Sequence, residues 1–131
     1  ALRNKEFGYI SGVEVGRHGL YCLGAWHVAE DRQTFHSVDY KASGLVEVDA
    51  TGFYCLLAKK EDWLKGEAYW IDEAWGPDVN WGLSLKGKKY VDMDIKIGHI
   101  TNSGTIKVEH PSTCNVNFYK ENGRWKFKQE Y

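Results

Sequence analysis

Proline, methionine and cysteine are scarce in this chain, and neither sign of charge predominates. Of 131 residues only two are Pro, one is Met and three are Cys, while 17 Lys and Arg nearly balance 18 Asp and Glu for a net charge of −1. Each shortage excludes something. Balanced charge leaves no excess of cations to track a phosphate backbone, so no nucleic-acid partner is expected. No apolar run approaches the ~20 residues of a membrane-spanning helix, so no transmembrane segment is expected. No low-complexity tract or linker divides the chain, which reads as a single domain over residues 1–131. No signal-peptide pattern stands at the start, and the first residue is Ala1 rather than Met. The expected setting is therefore a soluble protein, with secretion after processing as one route to that start. Localisation and oligomeric state stay open.

Cys22, Cys55 and Cys114 form no Cys-x-x-Cys pair, so neither a zinc finger nor a thioredoxin-like site is indicated. Their neighbours are apolar or aromatic, and they read as small buried hydrophobes, with one disulfide plus a free thiol as the alternative. The chain also lacks a Gly-x-Ser-x-Gly elbow, a P-loop, a His-Glu-x-x-His pair and a Gly-x-Gly-x-x-Gly turn. Nucleophilic hydrolysis, nucleotide binding and zinc proteolysis therefore have no motif behind them. Asp72, Glu73 and Asp78, or Asp92 and Asp94, do not have the spacing of an EF-hand loop. No metal and no cofactor is expected.

Aromatic residues and glycine are plentiful. Aromatics make up 15% of the chain, with six Trp and eight Tyr, beside 14 Gly. That mixture favours strands and turns. Strand-like runs recur over 7–15, 20–29, 34–40, 44–49, 53–58, 67–71, 81–85, 90–97, 105–110, 113–120 and 124–129. In the run 90–97, Val91, Met93, Ile95 and Ile97 alternate with Asp92, Asp94 and Lys96, the pattern of a half-buried strand. Ile106 and Val108, and Cys114, Val116 and Phe118, repeat it. Asn122-Gly123 is a strong hairpin signal; Lys86-Gly87-Lys88 and Thr101-Asn102-Ser103-Gly104 read as further turns between strands. Only Lys59–Lys65 reads as a helix. The expected fold is all-β: a single antiparallel barrel, or a β-sandwich, of about ten short strands with at most one short helix near residues 59–65.

Two fragments resemble pieces of known families. Gly24-Ala25-Trp26 is similar to the Gly-x-Trp that opens lipocalin-type barrels, over three residues. Phe118-Tyr119-Lys120-Glu121-Asn122-Gly123-Arg124-Trp125-Lys126-Phe127 resembles the closing hairpin of dehydratase-like members of the nuclear-transport-factor-2-like superfamily. Those proteins open with long helices, whereas residues 1–66 here are rich in Gly and β-formers. The sequence therefore assigns no family.

The densest aromatic stretch holds Trp63, Tyr69, Trp70, Trp75 and Trp81, interleaved with Asp62, Glu67, Asp72, Glu73, Asp78 and Asn80. Flat aromatic faces stack on sugar rings or apolar ring systems, and carboxylates and amides add directional hydrogen bonds. Tyr69, Trp70, Trp75, Trp81, Asp72, Asp78 and Asn80 are thus the candidate ligand-binding set, with Trp75 expected on a loop or at a pocket mouth. The competing reading is a core cluster beside a solvated acidic loop.

A second group is His27, Asp31, His36 and Asp39. A neutral His oriented by a carboxylate is the usual general-base arrangement, and Tyr21 or Tyr40 could polarise a carbonyl. These four are the candidate catalytic residues. His110, in phase with Ile106 and Val108, reads as a buried histidine. Three functions follow: a binding protein that holds a glycan or an amphipathic small molecule on a Trp/Tyr-lined site; a cofactor-free lyase or isomerase, dehydratase-like, using a His/Asp pair; and a module that presents an exposed Trp patch to a protein or a membrane surface.

Overall fold

The computed structural model describes residues 7–15, 22–53, 55–69, 75–100, 102–104, 106–107 and 113–131. Strand dominates, as the alternating patterns require, and the strands form two main sheets and a small hairpin. In the first sheet β4 (Leu45–Val48), β7 (Lys88–Lys96), β1 (Phe7–Val13) and β6 (Leu56–Ala58) lie side by side in that order. In the second the order is β11 (Arg124–Glu130), β10 (Asn115–Glu121), β3 (Thr34–Ser37), β2 (Ala25–Val28) and β5 (Ala50–Thr51). The hairpin pairs β8 (His99–Ile100) with β9 (Ile106–Lys107).

Three expectations are corrected. Among the described residues the strands do not close into a barrel, and four of them end their sheets: β4, β6, β11 and β5. The first sheet is not purely antiparallel either, since β1 runs parallel to β7. A parallel neighbour cannot be reached by a tight turn, so the chain crosses over through the second sheet and both helices before returning. Finally, the described residues include two helices. The predicted one is α1 (Lys60–Lys65). The second, α2 (Pro77–Ser84), covers much of the run read as a strand over 81–85. Pro77 at its start has the φ that a first helical turn wants and lacks only an N–H that would find no partner there. The expected turn at Lys86-Gly87-Lys88 accordingly joins α2 to β7, with Gly87 at a φ of 88°.

Each sheet uses its period-two pattern as read. Tyr9, Ser11 and Val13 of β1 share a buried face with Val91 and Met93 of β7. The alternation stops short of the strand's end, for Ile95 is half exposed. Cys114 and Val116 are buried with Phe35 and Trp26 of the neighbouring strands. Asn122 and Gly123 take φ values of 51° and 74°, the paired left-handed residues that let a two-residue turn join twisted strands. Residues of both sheets meet in one core cluster, with Val13, Val91, Met93 and Val48 from the first and Ala25 from the second. Against the opposite face of the second sheet lies an aromatic cluster centred on Trp75. Its indole stacks on Phe35 at 4.0 Å between ring centroids and meets Trp26, Phe118 and Trp125 edge-on. Offset and edge-on pairs of this kind add about 0.5–1.5 kcal/mol each beyond their area.

Candidate functional site

The aromatic excess divides in two. Trp75 belongs wholly to the core: it is 6% exposed and sits in the bend before α2, not at a pocket mouth. Its indole N–H has no hydrogen-bond partner among the described residues. Trp81 is buried too, in a third cluster with Tyr9 and Leu85. Asn80 is fully buried, Asp78 half-buried and Tyr69 exposed. Trp70 and Asp72 lie outside the described residues.

The open aromatic surface is elsewhere. A groove of about 500 Å³ is lined by Phe53, Leu56, Ala58, Lys60 and Trp63. Phe53 precedes β6, Leu56 and Ala58 are the same-face residues of that edge strand, and Lys60 and Trp63 stand on α1. Behind the lining lies Trp81, its ring 5.4 Å from Phe53 and 4.9 Å from Trp63. The three rings thus form a continuous apolar surface whose deep member is fixed and whose outer members are 43% and 48% exposed.

Helix α1 is held by its neighbours' polar groups, because it buries none of its own residues. Three side chains of α2 supply the hold. The amide of Asn80 donates to the carbonyl of Glu67 at 2.8 Å, the indole of Trp81 donates to the carbonyl of Trp63 at 3.3 Å, and the hydroxyl of Ser84 accepts from the amide of Glu67 at 2.8 Å. Ser84 in turn donates to the carbonyl of Trp81. Gly66 ends α1 directly over the Trp81 indole: a Cβ there would lie 1.8 Å from its Nε1. Glycine is required at that position by the close approach.

At the far end of α2, the Lys89 ammonium donates to the carbonyls of Gly82 and Leu85. Burial holds its pKa below the usual lysine value. A cation on the last carbonyls of a helix also opposes its dipole. Below them, Thr51 donates to the Tyr9 hydroxyl at 3.2 Å, and burial pushes the tyrosine up to about 12.

The histidine group assembles differently. His27 and His36 are direct cross-strand partners in β2 and β3, and both are exposed. The two carboxylates are used locally. Asp31 accepts from the Gln33 amide, and Asp39 accepts from the Lys41 amide and from the Asn115 side chain. Those bonds, the Lys41 amide first, hold the Asp39 carboxyl below its usual range. No hydrogen bond or ion pair joins either carboxylate to His27 or His36. His110 and Tyr21 lie outside the described residues, and Tyr40 is half-buried.

All three cysteines are free; Cys22 and Cys114 are buried as expected, and Cys55 is exposed. Burial, with Cys114 nearby, pushes the Cys22 thiol up to about 11. Among the described residues no group of three His, Cys, Asp or Glu is placed to hold a metal, and no helix is long and apolar enough to cross a membrane.

Of the groove's lining, sequence reasoning had singled out only Trp63, as part of the aromatic stretch. The available signal was a two-turn helix, too short to be stable alone, that carried Trp63 and Leu64 beside an apolar strand. No family model matches the chain, and no curated protein or solved structure is detectably similar to it.

Proposed function

We propose that the protein is a small-ligand-binding β protein whose site is the groove between β6 and α1. The observation that carries this reading is the three-ring surface of Phe53, Trp63 and Trp81 beside a cavity of about 500 Å³, within the range of small-molecule sites. Its outer rings are exposed at a cost in apolar hydration that a bound ring or chain would relieve. Of the five described lining residues only Lys60 is charged, and Trp63 adds an indole N–H; neither side chain supplies an acceptor. A sugar presents hydroxyls on every side and is held best by several fixed donors and acceptors. An amphipathic molecule with an apolar ring or chain and an anionic end fits better: its body lies on the rings and its anion meets Lys60.

The test is a titration of tryptophan fluorescence with 4-phenylbutyrate and decanoate, set against neutral oligosaccharides. The carboxylates should produce a saturable change that Trp63→Ala reduces at least tenfold in affinity. A response to the oligosaccharides alone would restore the glycan reading. Equal carboxylate affinity in Trp63→Ala and Phe53→Ala would remove the groove as the site.

A second reading, a surface that meets a protein or a membrane, is favoured by one observation. Of the ten exposed large hydrophobics among the described residues, five, Phe53, Leu57, Trp63, Leu64 and Tyr69, fall within residues 53–69. The acid–base reading has less behind it, because His27 and His36 are exposed and neither candidate carboxylate reaches them.

A further inference from the structure

The pairing of His27 with His36 suits a chemistry other than proton transfer. The two residues are directly opposite on adjacent antiparallel strands, so their side chains leave the same face of the sheet. The backbone around them is well fixed. Ala29 donates to the carbonyl of Thr34 on one side of the pair, and Val38 to the carbonyl of Ala25 on the other. By the alternation of an antiparallel ladder this makes 27/36 a hydrogen-bonded pair, with Cα atoms about 5.5 Å apart. Both strands are interior to the sheet, β2 between β3 and β5, and β3 between β2 and β10. The Asp49 carboxylate ties β2 further by accepting from the Val28 amide at 2.7 Å.

A second observation comes from the next strand. Asn117 of β10 stands opposite His36, on the same face. Its side-chain oxygen is buried and accepts no hydrogen bond among the described residues. The register thus sets an open buried acceptor on the residue opposite His36, and a metal-binding histidine ordinarily gives its other ring N–H to an oxygen that fixes tautomer and orientation. Beyond Asn117 on this face comes Lys128 of β11, so the row across four strands is His27, His36, Asn117 and Lys128, with no carboxylate in it.

We propose that His27 and His36 form a two-imidazole chelate for a late first-row divalent transition ion at the exposed part of a five-stranded-sheet face whose Ala25 and Val38 are buried, with Asn117 as the positioning acceptor for His36. Neutral imidazoles suit Cu²⁺, Ni²⁺ and Zn²⁺, and the general affinity order places Cu²⁺ above Zn²⁺. Metal–nitrogen bonds of about 2.0–2.1 Å can be made to both rings from one point above a cross-strand pair. Among the described residues no third His, Cys, Asp or Glu joins the pair, so the remaining coordination positions are filled by water or by an outside donor. This site is independent of the groove, and it departs from the sequence expectation that no metal is bound.

The test titrates Cu²⁺ and Zn²⁺ separately into the full chain at pH 7.5, with isothermal calorimetry and thermal unfolding as readouts. The expected result is one ion per chain, Cu²⁺ tighter than Zn²⁺, and a rise in Tm, since the chelate exists only when the two strands are paired. His27→Gln and His36→Gln should each weaken binding at least tenfold and abolish the rise in Tm. Asn117→Ala should weaken binding by roughly ten- to a hundredfold, the range for groups that orient a metal-bound histidine. Unchanged affinity in both histidine variants, or no binding by the wild-type chain, overturns the proposal. Should a variant fail to fold, the wild type itself decides. Paramagnetic broadening by the first equivalent of Cu²⁺ centred on residues 27, 36 and 117 supports the site, and broadening centred elsewhere overturns it.

Discussion

Trp81 holds Trp63 twice, by donating its indole N–H to the Trp63 main-chain carbonyl at 3.3 Å and by packing its ring 4.9 Å from the Trp63 ring. The buried indole therefore sets both the position of α1 and the outer wall of the groove. Replacing it should act on shape as well as on stability. Trp81→Phe keeps a ring but removes the donor, and should cost about 1–3 kcal/mol from the carbonyl and the smaller volume. Urea denaturation measures this, and chymotrypsin should cut after Trp63 faster in the variant than in the parent chain.

Gly66 offers a sharper probe of the same contact. With a Cβ 1.8 Å from the Trp81 Nε1, Gly66→Ala forces the indole or the end of α1 to move. Carboxylate binding at the groove should fall, and stability with it by about 1–3 kcal/mol, the usual penalty for overpacking. Gly123→Ala, where the added Cβ meets open space at a φ of 74°, should lose stability through backbone strain alone and leave binding intact.

The α2 clamp predicts a division between two polar substitutions. Asn80→Ala strips a buried amide from the Glu67 carbonyl and should destabilise by about 1–3 kcal/mol. Lys60→Met leaves every hydrogen bond of the clamp in place and should barely change the Tm. It should nevertheless weaken the binding of anionic amphiphiles relative to neutral ones of the same apolar body, in calorimetry at low salt.

Alkaline pH should destabilise the fold in two steps. Cys22 and Tyr9 both have pKa values raised by burial, from 9.0 to about 11 and from 10.0 to about 12. A raised value means that the folded state holds its proton longer than the unfolded state does. The resulting stability is complete below the unfolded value and is lost as pH climbs toward the folded one. Losses should begin above pH 9 with Cys22 and steepen above pH 10 with Tyr9. Denaturation curves for Tyr9→Phe should lack the second step, after allowance for the lost Thr51 bond. An equal second step in that variant would assign the effect elsewhere.

What could be read from the sequence follows the range of the forces involved. β7, β10 and β11 show in the alternation of Val91 and Met93 with charged residues and of Cys114 and Val116 with Asn. Their hairpin shows in Asn122-Gly123, because pleat and turn are local. Helix α2 is misread for an identifiable reason. Trp81, Leu83 and Leu85 alternate with Gly82 and Ser84 at period two, yet tertiary packing buries Val79, Asn80, Trp81 and Gly82 together, which suits a helix set between sheets. Pro77 was the local clue. The parallel contact of β1 with β7 has no local signature at all, since it joins residues 7–13 to residues 88–96. The groove was invisible because its walls, Phe53 and Trp63, are ten residues apart and are brought together by α2 rather than by their own periodicity.

The seating of β1 has a consequence for how the protein is made. Its partners are β6 on one side and β7 on the other, so a strand made before both finds its second neighbour only after residues 88–96 have followed. Such distant pairing makes ring closure costly and folding slow. Until then Tyr9 and Val13, destined for the interior, face water. A nascent chain arrested before β7 should consequently recruit chaperones, whereas β10 and β11, whose pairing with each other is local, can form their hairpin as soon as it emerges.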